Sequence, residues 1–470
     1  MIINEKIRKQ LDAQAGKRQY WKDRNKYYYS EQEKYFRFLV PKGLSILEVG
    51  CENGHLLNSL QPKRGVGIEF SSRMLDIAKK NYPDLEFRLA DIDQIKGWGE
   101  TFDVLIMADV VGYLIDIQET FRQLHAFCRP DTRIIVSYYN FIWEPILKIG
   151  EILGLKMPRQ YQNWLSSKDI CNLLSLSQFQ VVKSESRLLI PKRIPLVSSF
   201  INRYIASIPG LRKLCLCQYI VARPLKQRHK NKFSTTILIP CKNEKGNIEH
   251  AVKQIPQFGG HQEIIFVDGH STDGTREEII RVIKAYPKKD IKLLVQDSKG
   301  KGDAVRKGFA SAKEDILMIL DADLTVPPED LPKFYEALAE NQGEFINGCR
   351  LVYPMEKQAM RFLNYLGNKF FSMMFTWILT QRFKDTLCGT KALFRNDYVK
   401  IQAGRNYFGD FDPFGDFDLI FGAVKQNLKV VEVPIRYRER TYGKTNISRF
   451  SHGWLLLKMT IFAYRKIKAI

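Results

Sequence analysis

Asp321 and Asp323 stand one residue apart directly after the apolar run 316–320. A buried strand ending there delivers both carboxylates to the edge of a sheet, where the turn brings them toward one ion. Hard oxygen ligands suit Mg²⁺ or Mn²⁺, and Mg²⁺ is commonly held by one or two carboxylates together with substrate phosphates. The segment Val326-Pro327-Pro328-Glu329-Asp330 follows as a Pro-then-acid helix start. Asp268 closes the run Phe266-Val267 at the kind of strand end where α/β sheets bind ligands. Lys299-Gly300-Lys301-Gly302 is a glycine-rich loop with two lysines that opens a helix. A second set lies far upstream. Ile46-Leu47-Glu48-Val49-Gly50 runs through Cys51-Glu52-Asn53 to Gly54 and into a helix. Glycines there let the backbone approach a ligand that the helix N-terminus then faces. Glu69 follows after about 20 residues, where a carboxylate accepts ribose hydroxyls. Asp91, a similar distance on, suits an adenine amino group.

These side chains need strands to carry them. Apolar runs at 44–49, 65–69, 102–107 and 133–138 alternate with helix-like segments at 72–81 and 116–128, the pattern of a parallel sheet. It fades after residue 189, with a helix expected over 198–207 and a last strand near 216–222. The stretch from Arg223-Pro224 to Lys232 is polar, basic and opens on an X-Pro step, so it reads as a linker. A second series then begins, with strands at 235–239, 263–267, 291–295 and 316–320. Its helices are expected at 246–255, 274–286, 302–312 and 328–340. The chain of 470 residues has room for two or three domains. The expected fold class is α/β, with two Rossmann-like domains at 1–225 and 233–470 and a basic linker at 226–232.

Over about residues 25–223 the motifs resemble class I S-adenosylmethionine-dependent methyltransferases. The resemblance implies that Glu48, Gly50, Gly54, Glu69 and Asp91 line the cofactor site and that Asp109 and Tyr113 occupy the loop facing substrate. The family carries glycine where this chain has Glu52. From about 233 to 450 the ordered motifs resemble family 2 glycosyltransferases of the GT-A fold, most closely the dolichol-phosphate mannose synthase-like, polyprenyl-phosphate branch. That resemblance implies a nucleotide-sugar donor, with Pro240, Glu244 and Asp268 on its nucleoside, Lys301 in the donor loop, and Asp321 and Asp323 holding Mg²⁺ or Mn²⁺ on its diphosphate. It also implies a polyprenyl phosphate acceptor held by Arg350, Arg361, Arg440 and Lys444, with Asp323, Arg350 and Arg440 as the catalytic set. Arginine suits that task because its planar fork grips phosphate in bidentate fashion. Thr325 stands where the family has Gln beside the metal, and Lys242 where it has an aromatic.

Lys and Arg exceed Asp and Glu to give a formal net charge of +22, which suits a polyanion of some kind. The aromatic-and-basic strand motifs of common RNA modules are missing, so no nucleic-acid partner is expected. The eight cysteines show no C-x-x-C spacing, against a structural zinc and in favour of a reducing, cytoplasmic setting. The N-terminus has no apolar h-region of a secretory signal. The apolar stretches 370–379 and 454–464 fall short of the ~20 residues of a spanning helix. With their flanking cations, 361–382 and 454–468 read as segments lying on an anionic membrane, which makes the chain peripheral on its cytoplasmic face. The alternative for both is helices packed into a core. Two functional alternatives also stand: a surface polysaccharide as sugar acceptor with methyl capping, and a methyltransferase-shaped domain that serves as scaffold.

Overall fold

A computed structural model of the chain describes residues 2–92, 95, 97–159, 162–225, 232–353, 362–409, 415–440, 442 and 449–470. The chain divides into two compact units, Met1–Lys226 with Ala469–Ile470, and Gln227–Lys468. Most of the expected linker, 226–231, lies outside the described residues.

In the first unit the strands are β1 (Ser45–Val49), β2 (Arg64–Glu69), β3 (Glu86–Leu89), β4 (Phe102–Ala108), β5 (Cys128–Tyr139), β6 (Phe179–Arg187) and β7 (Cys217–Pro224). Among the described residues they form one sheet in the order β3-β2-β1-β4-β5-β7-β6. The first five strands are parallel, with Leu47 opposite both Val66 and Leu105, and β7 runs antiparallel between β5 and β6. Ile46, Leu47 and Val49 are fully buried, as both faces of such strands must be when helices cover them. Parallel pairing sends the ends of β1, β2, β3 and β4 to one edge, which gathers Gly50, Glu69, Asp91 and Asp109 there. The helix expected over 198–207 is found at 197–205, beginning as α-helix, Val197–Phe200, and running on as a π-helical turn, Ile201–Ile205. Asn202 ties this turn to the segment before it. Its Oδ1 accepts from the backbone N–H groups of Leu189 and Ile190 at 2.8 and 2.9 Å, and its Nδ2 donates to the Ile190 carbonyl.

The second unit contains β8 (Thr235–Cys241), β9 (Gln262–Asp268), β10 (Asp290–Val295), β11 (Ile316–Ile319), β12 (Phe345–Cys349), β13 (Lys391–Phe394) and β14 (Val430–Pro434). Its sheet order is β10-β9-β8-β11-β13-β12-β14, parallel from β10 to β11, with β13 antiparallel to both its neighbours. A core of Ile237, Ile239, Phe266, Ile316, Met318 and Phe334 fills one side of this sheet. Helix Lys301–Ser311 lies so close to β8 that a Cβ on Gly308 would sit 2.1 Å from Leu238 Cδ1, so glycine is required there. The expected helix at 361–382 is found as Phe362–Leu379 and buries Phe375, Ile378 and Leu379 while exposing Leu366, Phe370 and Met373. Helix Arg449–Ala463 buries Leu456, Met459 and Ala463 and exposes Trp454 and Ile461. Both helices thus join a core on one face. No described helix is long and apolar enough to cross a membrane.

Candidate active sites

At the carboxyl edge of the first sheet lies a cleft, partly open to solvent, lined by Gly50, Glu52, Glu69, Asp91, Asp109 and Tyr113. Apolar walls come from Ile7, Leu11, Phe70, Met74, Ile92 and Val110. Gly50 has φ +77°, and a Cβ there would stand 2.6 Å from Val110 Cγ2. The turn after β1 therefore stays bare of side chain where it meets the cleft. Glu69 is tied more tightly than its position alone implied. One carboxylate oxygen accepts from the N–H groups of Phe70 and Ser71 at 2.8 and 3.0 Å, and the other accepts from Glu52 N–H at 2.9 Å. Three of about four acceptor positions are taken, which leaves one for a ribose hydroxyl rather than two. Burial pushes the Glu69 carboxyl upward despite these amides.

Glu52, the departure from the family's glycine, is compensated from an unexpected quarter. Arg18 grips its carboxylate with two nitrogens, and Lys22 stands 3.2 Å away. Burial pushes Glu52 up, but these cations outweigh it and hold the carboxyl at about 2. Two cations thus face one carboxylate at this end of the cleft. Arg18 and Lys22 lie on helix Arg18–Arg24 and were not among the expected site residues. Their i, i+4 spacing, like that of Ile7 and Leu11, was the readable signal. Asp109, at φ +57°, accepts from Tyr28 Oη at 2.7 Å, Gln32 Nε2 at 2.9 Å and Ser137 Oγ at 3.2 Å. Burial raises its pKa in spite of those donors.

Glu48 and Gly54, expected on the same cleft, are not brought to it. Glu48 is buried beneath the turn with one carboxylate oxygen unpartnered, and burial pushes it to about 8 although the Leu57 amide donates to it. Gly54, at φ +76°, closes the turn onto Phe87, whose ring a Cβ would meet at 2.6 Å. Both shape the turn from behind.

The second site assembles where β8, β9 and β11 end. Register places Pro240 opposite Val267 and Cys241 opposite Asp268, so Pro240 and Asp268 share one strand edge. Asp268 accepts from Ser271 N–H at 3.2 Å. The backbone reverses at Leu324, φ +53°, and Thr325 Oγ1 donates to Asp323 Oδ1 at 2.8 Å. Lys301 Nζ pairs with Asp321. Burial pushes Asp321 up, but Lys301 holds it below the usual carboxylate range. Gly389 is packed against this pair, since a Cβ there would fall 2.1 Å from Asp321 Oδ2. Arg440 spans two predicted site residues, donating to Glu244 Oε1 at 3.0 Å and to Asp323 Oδ2 at 2.8 Å. The Glu244 carboxylate also accepts from Asn247 Nδ2 at 2.8 Å, and burial leaves its pKa raised even with Arg440 beside it.

Arg350, expected on the acceptor phosphate, faces a carboxylate in this structure. Its fork is locked on buried Asp385, with Nε at 2.7 Å and a terminal nitrogen at 2.8 Å. Asn368 Nδ2 donates to the same carboxylate at 3.1 Å. Burial pushes Asp385 up, but Arg350 draws it down to about 2. The charge of Arg350 adds a small downward pull on Asp321, after Lys301 and Lys391. Lys391 pairs with Asp416 at 2.8 Å next to the same edge. Arg361 and Lys444 lie outside the described residues. Among the described residues no group of three or more His, Cys, Asp or Glu side chains converges as an ion site. Asp321 and Asp323 follow the same strand end, the first facing Lys301 and the second Arg440.

A family model described as "Methyltransferase domain" matches residues 20–184, and one described as "Glycosyl transferase family 2" matches residues 236–400. The chain carries a methyltransferase domain followed by a family 2 glycosyltransferase domain. Among curated relatives, Glycosyltransferase AglJ of Haloferax volcanii is 29% identical over 234 residues, covering 49% of this chain and 71% of the relative. A dolichol-phosphate mannosyltransferase of Pyrococcus furiosus is 30% identical over 220 residues, 46% of this chain and 59% of the relative. A dolichyl-phosphate hexose transferase of Haloferax volcanii is 28% identical over 213 residues, 45% of this chain and 85% of the relative. The chain thus spans less than two thirds of the Pyrococcus relative. The glycosyltransferase domain holds the ion-paired site and the methyltransferase domain the cleft. In both, the predicted residues that come together do so at the carboxyl edge of a parallel sheet, as open α/β sheets dictate.

Proposed function

We propose that the glycosyltransferase domain, residues 233–470, moves a sugar from a nucleotide-sugar to a polyprenyl phosphate with a divalent ion at Asp321 and Asp323. The observation that carries this reading is Arg440, whose guanidinium joins Glu244 to Asp323. A cation that spans the nucleoside-side carboxylate and the ion-side carboxylate lies where two anionic substrates must meet. The relatives' names support the acceptor class, since two of them act on dolichol phosphate or dolichyl phosphate.

Asp268, Pro240 and Glu244 hold the nucleoside, and Lys301 neutralises the diphosphate end of the donor. Mg²⁺ or Mn²⁺, when bound, supplies positive charge to the leaving diphosphate. The acceptor phosphate needs no strong base, because a phosphate monoester is already ionised near neutral pH. One of its oxygens attacks the anomeric carbon in line, the bond to the diphosphate oxygen breaks, and the configuration inverts. Arg440 offsets the repulsion between the two anions, with Arg361 and Lys444 assigned to the same acceptor.

The methyltransferase domain, residues 1–225, binds S-adenosylmethionine at Gly50, Glu69 and Asp91, with Arg18 facing the methionine carboxylate and Glu48 and Gly54 holding the turn. Its methyl acceptor belongs to the same pathway, the sugar product included. The enzyme works at the cytoplasmic face of an anionic membrane, for which the charge of +22 and the exposed apolar residues of helix Phe362–Leu379 are the support. The test is purified protein with a panel of labelled nucleotide sugars, Mn²⁺ and a short polyprenyl phosphate. Label that enters the organic phase supports the reading. Label transferred only to polysaccharide contradicts it.

A further inference from the structure

The methyltransferase domain carries an apolar, cationic face that neither site uses. Helix Glu144–Ile152 buries none of its residues, yet Ile146, Ile149 and Ile152 lie on it at helical spacing, and Ile152 is 84% exposed. A second segment, residues 190–215, exposes Leu196, Phe200, Tyr204 and Leu211. The two are tied together, since Trp143 Nε1 donates to the Leu214 carbonyl at 2.7 Å and Asn140 Nδ2 to the Lys213 carbonyl at 2.7 Å.

Leu196 is the telling residue. It is 89% exposed and sits at φ +63°, a left-handed conformation that glycine adopts freely and leucine does not. Pro195 precedes it. Val197 N–H closes this turn on the Pro195 carbonyl at 2.7 Å, so the strained backbone holds the leucine out in water, and strain of this kind collects at functional positions. The charge decides what it meets. Residues 190–215 contain Lys192, Arg193, Arg203, Arg212 and Lys213 and no Asp or Glu. On helix Glu144–Ile152 the two glutamates are neutralised, Glu144 by Lys148 and Glu151 by Lys156. Two copies of such a face would repel each other, whereas an anionic bilayer attracts the cations and accepts the apolar tips.

We propose that this face seats the methyltransferase domain on an anionic lipid bilayer, with Leu196 and Phe200 inserted among the acyl chains and Arg193 and Lys213 at the headgroups. The inference rests on the reading of an enzyme that works at a membrane, and it places the contact on a different unit from the helices of the glycosyltransferase domain.

The experiment is flotation of the whole chain with phosphatidylcholine vesicles, with and without phosphatidylglycerol, next to sugar transfer assayed in detergent. Wild type floats with the mixed vesicles. The double variant L196D/F200D binds them about a hundredfold more weakly. The pair R193E/K213E loses about fivefold for each charge on mixed vesicles and nothing on neutral ones. Leu196→Gly relieves the strain, so it melts higher than wild type while it binds vesicles about tenfold more weakly. All these variants keep transfer in detergent. Unchanged flotation of L196D/F200D overturns the inference even where transfer proceeds. So does a wild-type dimer that this variant dissociates without any change in flotation. Loss of transfer with flotation intact would instead count against the proposed acceptor.

Discussion

The two sites of this chain grow from the same architecture and treat charge in opposite ways. In the methyltransferase cleft, Glu48, Glu69 and Asp109 are all pushed upward by burial, and neutral donors such as backbone amides, Tyr28 and Gln32 supply much of their hydrogen bonding. Glu52 alone is drawn strongly down, by Arg18 and Lys22. In the glycosyltransferase site the carboxylates of Asp321, Asp323, Asp385 and Asp416 each face a lysine or arginine. The contrast teaches what each edge is prepared to receive. A cleft of hydrogen-bonded carboxyls and apolar walls suits a nucleoside that carries a sulfonium. Asp321 and Asp323, matched by Lys301 and Arg440, suit a ligand that arrives as a metal with a diphosphate, because both partners of these two pairs can be exchanged for the ligand's own charges. Asp385 and Asp416 are held by Arg350 and Lys391 within the packing.

Removing a carboxylate from the ion-paired site should break the comparison most sharply. Asp323→Ala deletes an expected ion ligand and strands Arg440, and sugar transfer should fall about a thousandfold, or about 4 kcal/mol of barrier, read as turnover at saturating donor. Arg440→Met separates the two roles of that guanidinium. Transfer should drop about a hundredfold, while Mn²⁺ binding, measured by calorimetry, should tighten a few-fold, because the cation competing for Asp323 is gone.

In the cleft, Arg18→Met leaves Glu52 with Lys22 alone and removes the positive excess. S-adenosylmethionine should bind about tenfold more weakly by calorimetry, with sugar transfer unchanged. The smallest effect is a pH slope. Glu48 ionises near 4.5 when unfolded and near 8 when folded. Between those values the folded chain holds a proton that the unfolded chain has lost, so stability is full below about 4.5 and declines as pH rises toward 8. Glu48→Gln should flatten that decline and raise the melting temperature of the methyltransferase transition by a few degrees above pH 8, with little change at pH 5.

Much of this was legible along the chain. The apolar runs that became β1, β4, β8 and β11 are four to seven residues with turns behind them, and the carboxylates that end them had few other places to go. Asp321, Asp323, Glu69 and Asp91 could be placed from strand ends alone. What escaped were partners brought from far away. Arg18 reaches Glu52 across 34 positions, and Arg440 reaches Glu244 across 196. No local spacing encodes which cation meets which carboxylate, as the pairing of Arg350 with Asp385 also shows. Glu48 and Gly54 escaped for a different reason. A turn motif shows which residues build a ligand loop without showing which of them face the ligand.

The central claim is that the glycosyltransferase site works through a divalent ion shared between Asp321, Asp323 and the donor diphosphate. The direct measurement is organic-extractable label formed from a nucleotide sugar and polyprenyl phosphate, first with chelator and then with Mn²⁺ restored. The account predicts that label formation stops with the chelator and returns with Mn²⁺ in the wild type but not in Asp323→Ala. Undiminished label in the presence of chelator would contradict it.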